Sequence, residues 1–207
     1  HKARGLGVAT DGDALWSEDT LFTVCPWWDG PSTREEVARL LARHATEPKR
    51  QWIWIYHAPP TESPTSWVGK RHIGDEALSA WIAEHRPELI ILGKSMVLYP
   101  EPVAEVRRFI DELGLDTFLM YDMAHVLGLI GPHFQDPFGE GADIVTGSTH
   151  KTFFGTQRGI VSSRFEEDDV LYPFWEAVER RAFPGAVSNH HLGTLLGLLM
   201  ATYEMNA

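Results

Sequence analysis

The chain holds a single cysteine, Cys25, so neither a disulfide framework nor a cysteine zinc cluster can be built from it. Long apolar runs are also missing. The stretch around Leu195–Met200 falls well short of the roughly 18–20 residues that a membrane helix needs, and polar residues follow it. Positive charge is scarce, with 18 Lys+Arg against 29 Asp+Glu and a net charge of −11. A nucleic-acid binder needs a basic face to displace counterions, so that class of partner is not expected. No signal-peptide pattern opens the sequence. These absences together predict a protein of the reducing cytoplasm without a membrane partner. The first residue is a histidine, and the chain is expected to be a piece of something longer.

Apolar side chains, by contrast, are plentiful. Hydrophobic residues make up 43% of the 207 and charged residues 23%, enough for one sizeable core or two small ones and too apolar for disorder. Usage changes along the chain. Seven of the eight tryptophans precede residue 82, and the net charge is −3 over residues 1–93 but −8 over 94–207. Two segments of different origin are therefore expected, 1–93 and 94–207.

Short apolar runs predict strands at Gln51–Tyr56, Leu89–Gly93, Thr117–Tyr121, Ala142–Gly147 and Gly159–Ser163. Between them, helical spacing is read from a capping box at Ser32 and Glu35 to about His44. Further helices are expected at Asp75–His85, Pro102–Leu113, Glu166–Arg181 and His190–Glu204, the acidic run Glu166–Asp169 forming a charged first turn. Strands alternating with helices define the fold class as α/β, layered, with a mainly parallel sheet flanked by helices. Ligands of such sheets sit beyond the carboxyl ends of the strands.

Two predicted strands end in reactive residues. One runs into Asp122-Met-Ala-His125 and the other into Ser148-Thr-His150-Lys151-Thr. If the strands are neighbours, an amine, a carboxylate, two imidazoles and hydroxyls share one crevice. Pyridoxal phosphate (PLP) chemistry needs that set: an amine to bond the aldehyde, and an acid to keep the pyridine nitrogen protonated. It also needs a flat ring to hold the cofactor, and hydroxyls or N–H groups to take the phosphate. Alone, an aspartate at a strand end is more often a turn residue and a surface lysine is merely solvated; their co-occurrence carries the reading.

These motifs, with Arg-Pro-Glu-Leu-Ile-Ile-Leu-Gly-Lys-Ser95 upstream and Gly-Thr-Gln-Arg158-Gly and Phe183-Pro184-Gly185 downstream, closely resemble serine hydroxymethyltransferase from about residue 84 to 207. The resemblance implies the large domain of a fold-type I PLP enzyme. Lys151 would form the Schiff base with PLP, Asp122 would pair with the pyridinium nitrogen and His125 would stack on the ring. Ser95, Ser148 and Arg158 would contact the cofactor, and His150 would act near the substrate. The implied substrate is a small β-hydroxy amino acid whose Cα–Cβ bond is cleaved or formed, and the implied assembly is a homodimer. Ser188-Asn189-His190-His191 stand where the family usually has a glycine pair. The arginine for the substrate carboxylate would lie beyond Ala207, so the catalytic set is expected to be incomplete.

The first ninety residues read differently. Trp52-Ile-Trp-Ile-Tyr-His57-Ala-Pro-Pro resembles the late part of calcineurin-like metallophosphoesterases, where a strand-end histidine binds one of two divalent metal ions. By that resemblance His57 is a candidate metal ligand. Asp11 and Asp13 sit in a glycine-containing turn and are read as local hydrogen-bonding residues. Gly93-Lys94-Ser95 resembles the end of a nucleotide-binding loop, but Glu88 occupies the place of the loop's first glycine. His190 and His191 are adjacent on a predicted helix and point in different directions, which disfavours a shared metal. Three readings follow: a PLP enzyme core, a metallophosphoesterase relative, and a catalytically incomplete hybrid.

Overall fold

A computed structural model describes residues 9–26, 33–56, 67–68, 71–72, 76–189 and 191–206. Its principal sheet is mixed and mostly parallel. The strands are β1 (Ala14–Ser17), β2 (Thr20–Val24), β3 (Gln51–Ile55), β6 (Leu89–Leu92), β7 (Phe118–Asp122), β8 (Ile144–His150) and β9 (Phe154–Ser163), hydrogen-bonded in that order. β4 (Trp67–Val68) and β5 (Arg71–His72) form a separate antiparallel pair. The α/β expectation is met, and the chain divides into two compact units.

The first unit comprises the chain up to Leu92 together with Leu98–Met120. Its β1–β2 hairpin escaped the sequence reading because β1 is short and largely exposed. Asp13, read as a turn residue, is one: its Oδ2 accepts the Thr10 N–H at 2.8 Å and the Thr10 hydroxyl at 2.9 Å. β2 and β3 pair in parallel, and alternation buries Leu21 and Thr23 on one strand and Trp52 and Trp54 on the other. The Trp52 indole N–H donates to Thr23 Oγ1 at 2.9 Å, which satisfies a buried donor.

Helix α1 (Arg34–Ala45) buries Val37, Leu40 and Leu41, the i, i+3, i+4 stripe of an amphipathic helix. Its capping box falls at Thr33 and Glu36, where the Thr33 hydroxyl accepts the Glu36 N–H at 3.3 Å and Glu36 Oε2 accepts the Thr33 N–H at 2.9 Å. The expected box at Ser32 and Glu35 is therefore one residue early. Thr33 has the extended backbone that a cap requires, and Ser32 lies outside the described residues. Burial pushes the Cys25 thiol up to about 12, so it stays protonated and unreactive at neutral pH.

Helix α2 (Glu76–His85) ends in a histidine whose side chain is only 5% exposed. The ring lies edge-on to Trp52 and Trp54, with centroids 5.4 and 5.6 Å away. Desolvation is the main cause of a lowered His85 pKa. Lys49 lowers it further, and Glu84 opposes both. In the unfolded chain the imidazole titrates near its usual value of about 6.5, so below that pH the unfolded state takes up more protons. Stability is thus complete above about pH 6.5 and falls as the pH drops towards the folded-state value. Thermal unfolding followed across that window should show this slope flattened in His85→Leu.

Helix α3 (Val103–Glu112) buries Val103, Val106 and Ile110. Two bonds fix where β7 begins: Thr117 Oγ1 donates to Pro87 O at 2.6 Å, and the Phe118 N–H donates to Glu88 O at 2.9 Å.

The second unit comprises Gly93–Val97 and Tyr121 onward. It is built on the antiparallel β8–β9 hairpin. β8 runs on to His150, further than the expected stop at Gly147, so Ser148 and His150 lie in the strand itself. Thr149 sustains that extension: a register shift opens between Ser148 and His150, and the buried Thr149 hydroxyl fills it against Thr156 O at 2.6 Å and Arg158 O at 3.2 Å. At the hairpin base, Arg164 Nε and Nη2 donate to Asp143 Oδ1 at 2.9 and 2.7 Å.

Helix α4 (Tyr172–Arg180) starts later than expected. Glu166–Asp169 precede it in turns, where Asp169 Oδ1 accepts the Leu171 N–H at 2.8 Å, and a proline in the first helical turn sets the start. A π-helical turn, Arg181–Ala186, follows α4, with Phe183 extended within it. Helix α5 (Leu192–Met205) packs against β9.

Candidate cofactor site

β7 and β8 are neighbours, which brings the turn after Asp122 beside the turn that carries Lys151. Leu119 and Tyr121 are fully buried in β7, and strand alternation turns Asp122, the last residue, to the opposite face, where it is exposed. Beyond it the Met123 N–H donates to Thr146 O of β8 at 2.7 Å, which continues the pairing. Asp122 Oδ1 then accepts the Ala124 N–H at 2.9 Å, closing an Asx turn that leads the chain to His125.

The second half of the site is the turn between β8 and β9. His150 closes β8 opposite Phe154, and Lys151 opens the turn, its side chain exposed. One hydroxyl joins the two halves. Thr152 Oγ1 donates to His125 O at 2.9 Å and accepts the Gly128 N–H at 3.2 Å. The union is tight at Gly128, where a Cβ would collide with the Thr152 carbonyl and with Phe153 N. An amine, a carboxylate and an imidazole are therefore held on two adjoining turns by a shared bond.

Ser95 is the third candidate. It is exposed on the segment Gly93–Val97, which belongs to the same unit as Asp122 and Lys151. Gly93 lies directly against the backbone of Asp122. Ser148 is half-buried on β8. Arg158 turns elsewhere: its Nη2 donates to His191 O at 2.7 Å and to Thr194 Oγ1 at 2.6 Å, at the start of α5. His57 lies outside the described residues, as does His190. Among the described residues no group of three or more His, Cys, Asp or Glu side chains could hold a metal ion. None of the helices among them is long and apolar enough to cross a membrane.

Sequence reasoning gave Thr152, Gly93 and Gly128 no part in the site. Thr152 was visible only as the neighbour of a reactive lysine, Gly93 only as the end of a strand and of a nucleotide-loop likeness that Glu88 breaks, and Gly128 not at all. Their partners are fixed by tertiary geometry.

The donor set fits PLP. The amine can bond an aldehyde, the acid can face a ring nitrogen, and the side-chain-free backbones of Gly93 and Gly128 allow the walls to close up. A layered, mostly parallel sheet with its lysine beyond the strand ends has the build of a fold-type I PLP domain. The family model described as serine hydroxymethyltransferase matches residues 68–205. The chain belongs to the serine hydroxymethyltransferase family.

Curated relatives agree. The serine hydroxymethyltransferase of Archaeoglobus fulgidus is 54% identical over 121 residues, 58% of this chain and 26% of the relative. That of Methanosphaera stadtmanae is 50% identical over 132 residues, 63% of this chain and 29% of the relative. That of Methanobrevibacter smithii is 46% identical over 135 residues, 65% and 30% respectively. The chain thus spans less than a third of the length of these relatives. Nothing in these matches supports a metallophosphoesterase part.

Proposed function

We propose that this chain supplies the lysine-bearing core of a PLP-dependent enzyme acting on the Cα–Cβ bond of small β-hydroxy amino acids, as serine hydroxymethyltransferases do by name. The observation that carries the reading is the Thr152 hydroxyl bonded to His125 O, because it fixes the amine-bearing turn beside the acid-bearing one. When bound, PLP would supply a conjugated ring able to accept an electron pair from the substrate.

This chain's residues would hold and orient it. Lys151 would hold the cofactor through its amine at the aldehyde carbon. Asp122, already oriented by the Ala124 N–H, would keep a proton on the pyridine nitrogen. His125 would lie flat against the ring, while Ser95 and Ser148 would give hydroxyls to cofactor oxygens. His150 would handle polar groups or protons of the substrate. Arg158 would join the cofactor set only by leaving its α5 partners. The companion proposals are a homodimer and a cytoplasmic setting, the latter suited to a single, buried thiol.

Titration of the purified chain with PLP should raise a visible absorbance band, and borohydride reduction should fix the adduct on the peptide containing Lys151. Absence of a band, or adducts scattered without preference over the lysines, would refute the proposal.

A further inference from the structure

We propose that Gly93 is a positioning residue for Asp122: its lack of a side chain lets the segment that carries Ser95 lie directly against the Asp122 backbone, and that contact sets where the carboxylate points. The proposal rests on the reading of Asp122 as the acid facing the ring nitrogen, and adds to it the residue that places the acid.

Three observations converge on it. A Cβ built on Gly93 would stand 2.6 Å from Asp122 O, 3.0 Å from Asp122 Cβ and 3.4 Å from Asp122 C. The first of these is backbone, so relief requires one of the two main chains to move. Gly93 also has φ +141°, which side-chain-bearing residues rarely adopt. Lastly, Asp122 has little freedom to yield, since the Met123 N–H is bonded to Thr146 O and Asp122 Oδ1 to the Ala124 N–H. An added Cβ at position 93 is therefore expected to press on the Asx turn, and with it on the carboxylate. Gly93 also sits two residues before Ser95, so one contact sets the spacing between the acid and the serine hydroxyl.

The fold provides its own control. Gly131 has φ +138° and nothing within 4 Å of a built Cβ. Alanine at 131 brings the same backbone strain without the collision. Amide exchange of Ala124, whose N–H rests on Asp122 Oδ1, reads the turn directly in the full chain without cofactor. Gly93→Ala should speed that exchange by roughly tenfold or more, and Gly131→Ala by less than about twofold.

PLP titration gives the second arm. Gly93→Ala and Asp122→Asn should each weaken binding by roughly tenfold, and the double variant should be no weaker than about twofold below the poorer single one, because both act through one carboxylate. A merely structural glycine would give multiplying losses. Should Gly93→Ala fail to fold, the unaltered chain still decides the matter: a nuclear Overhauser contact between the Gly93 α-protons and the Asp122 β-protons is expected. Its absence, equal acceleration by both alanine variants, or multiplying losses would each overturn the proposal. If the unaltered chain raises no PLP band, the functional reading fails while the exchange arm still decides the role of Gly93.

Discussion

Lys151→Ala is expected to abolish the visible band that PLP raises with the unaltered chain, while changing unfolding free energy by no more than about 0.5 kcal/mol. The two outcomes separate because Lys151 is exposed in the turn between β8 and β9 and no described hydrogen bond depends on its ammonium. Lys94→Ala should keep the band. Lys94 is an equally reactive type of amine, but it does not lie on the turn that Thr152 ties to His125. The comparison thus tests placement and not the mere presence of lysine. A second readout is thermal. A ligand at about a hundred times its dissociation constant adds roughly 2.7 kcal/mol to the folded state, so PLP should raise the melting temperature of the unaltered chain and leave Lys151→Ala close to its ligand-free value. A band that survives in Lys151→Ala would remove the lysine from its assigned role.

The largest loss of stability is expected from Arg164→Ala. Asp143 is buried at the base of the β8–β9 hairpin, with its side chain 5% exposed, and the guanidinium of Arg164 reaches one of its oxygens with two nitrogens. Removing the arginine takes two N–H donors from a buried carboxylate, and losing donors to a buried charge costs more than the intact pair contributes. Because the Arg164 side chain is 46% exposed, solvent weakens the interaction, and the loss should be about 2–3 kcal/mol and not the 3–5 typical of fully enclosed pairs. Denaturant unfolding measures it. The double variant Arg164→Ala/Asp143→Ala should recover part of that loss, since no charge is then left behind. Equal or greater loss in the double variant would show that the ion pair stabilises the hairpin outright.

Much of this was legible in the sequence, for reasons that differ from element to element. Strands β3, β6 and β7 announced themselves as short apolar runs, and their ends were placed within a residue or two. The reach of β8 was not, because Ser148, Thr149 and His150 look like loop residues; only the Thr149 hydroxyl, bonded across the register shift, makes them strand. Helix α4 was misjudged at its start because acidic residues favour a first turn as readily as the turns before it. The candidate site residues carry chemical signatures, so the sequence could nominate them. Gly93, Gly128 and Thr152, which pack against the turns that bear those residues, carry none, since a glycine's usefulness depends on what approaches it.

The bond between Thr152 and His125 joins residues 27 positions apart. Closing a flexible loop of that size costs roughly 3 kcal/mol in its length-dependent term, and the tether keeps the two turns at high effective concentration. A nick in residues 131–141 would destroy that tether: the severed ends would have to find each other as separate molecules, and dilution alone would pull the amine away from the acid.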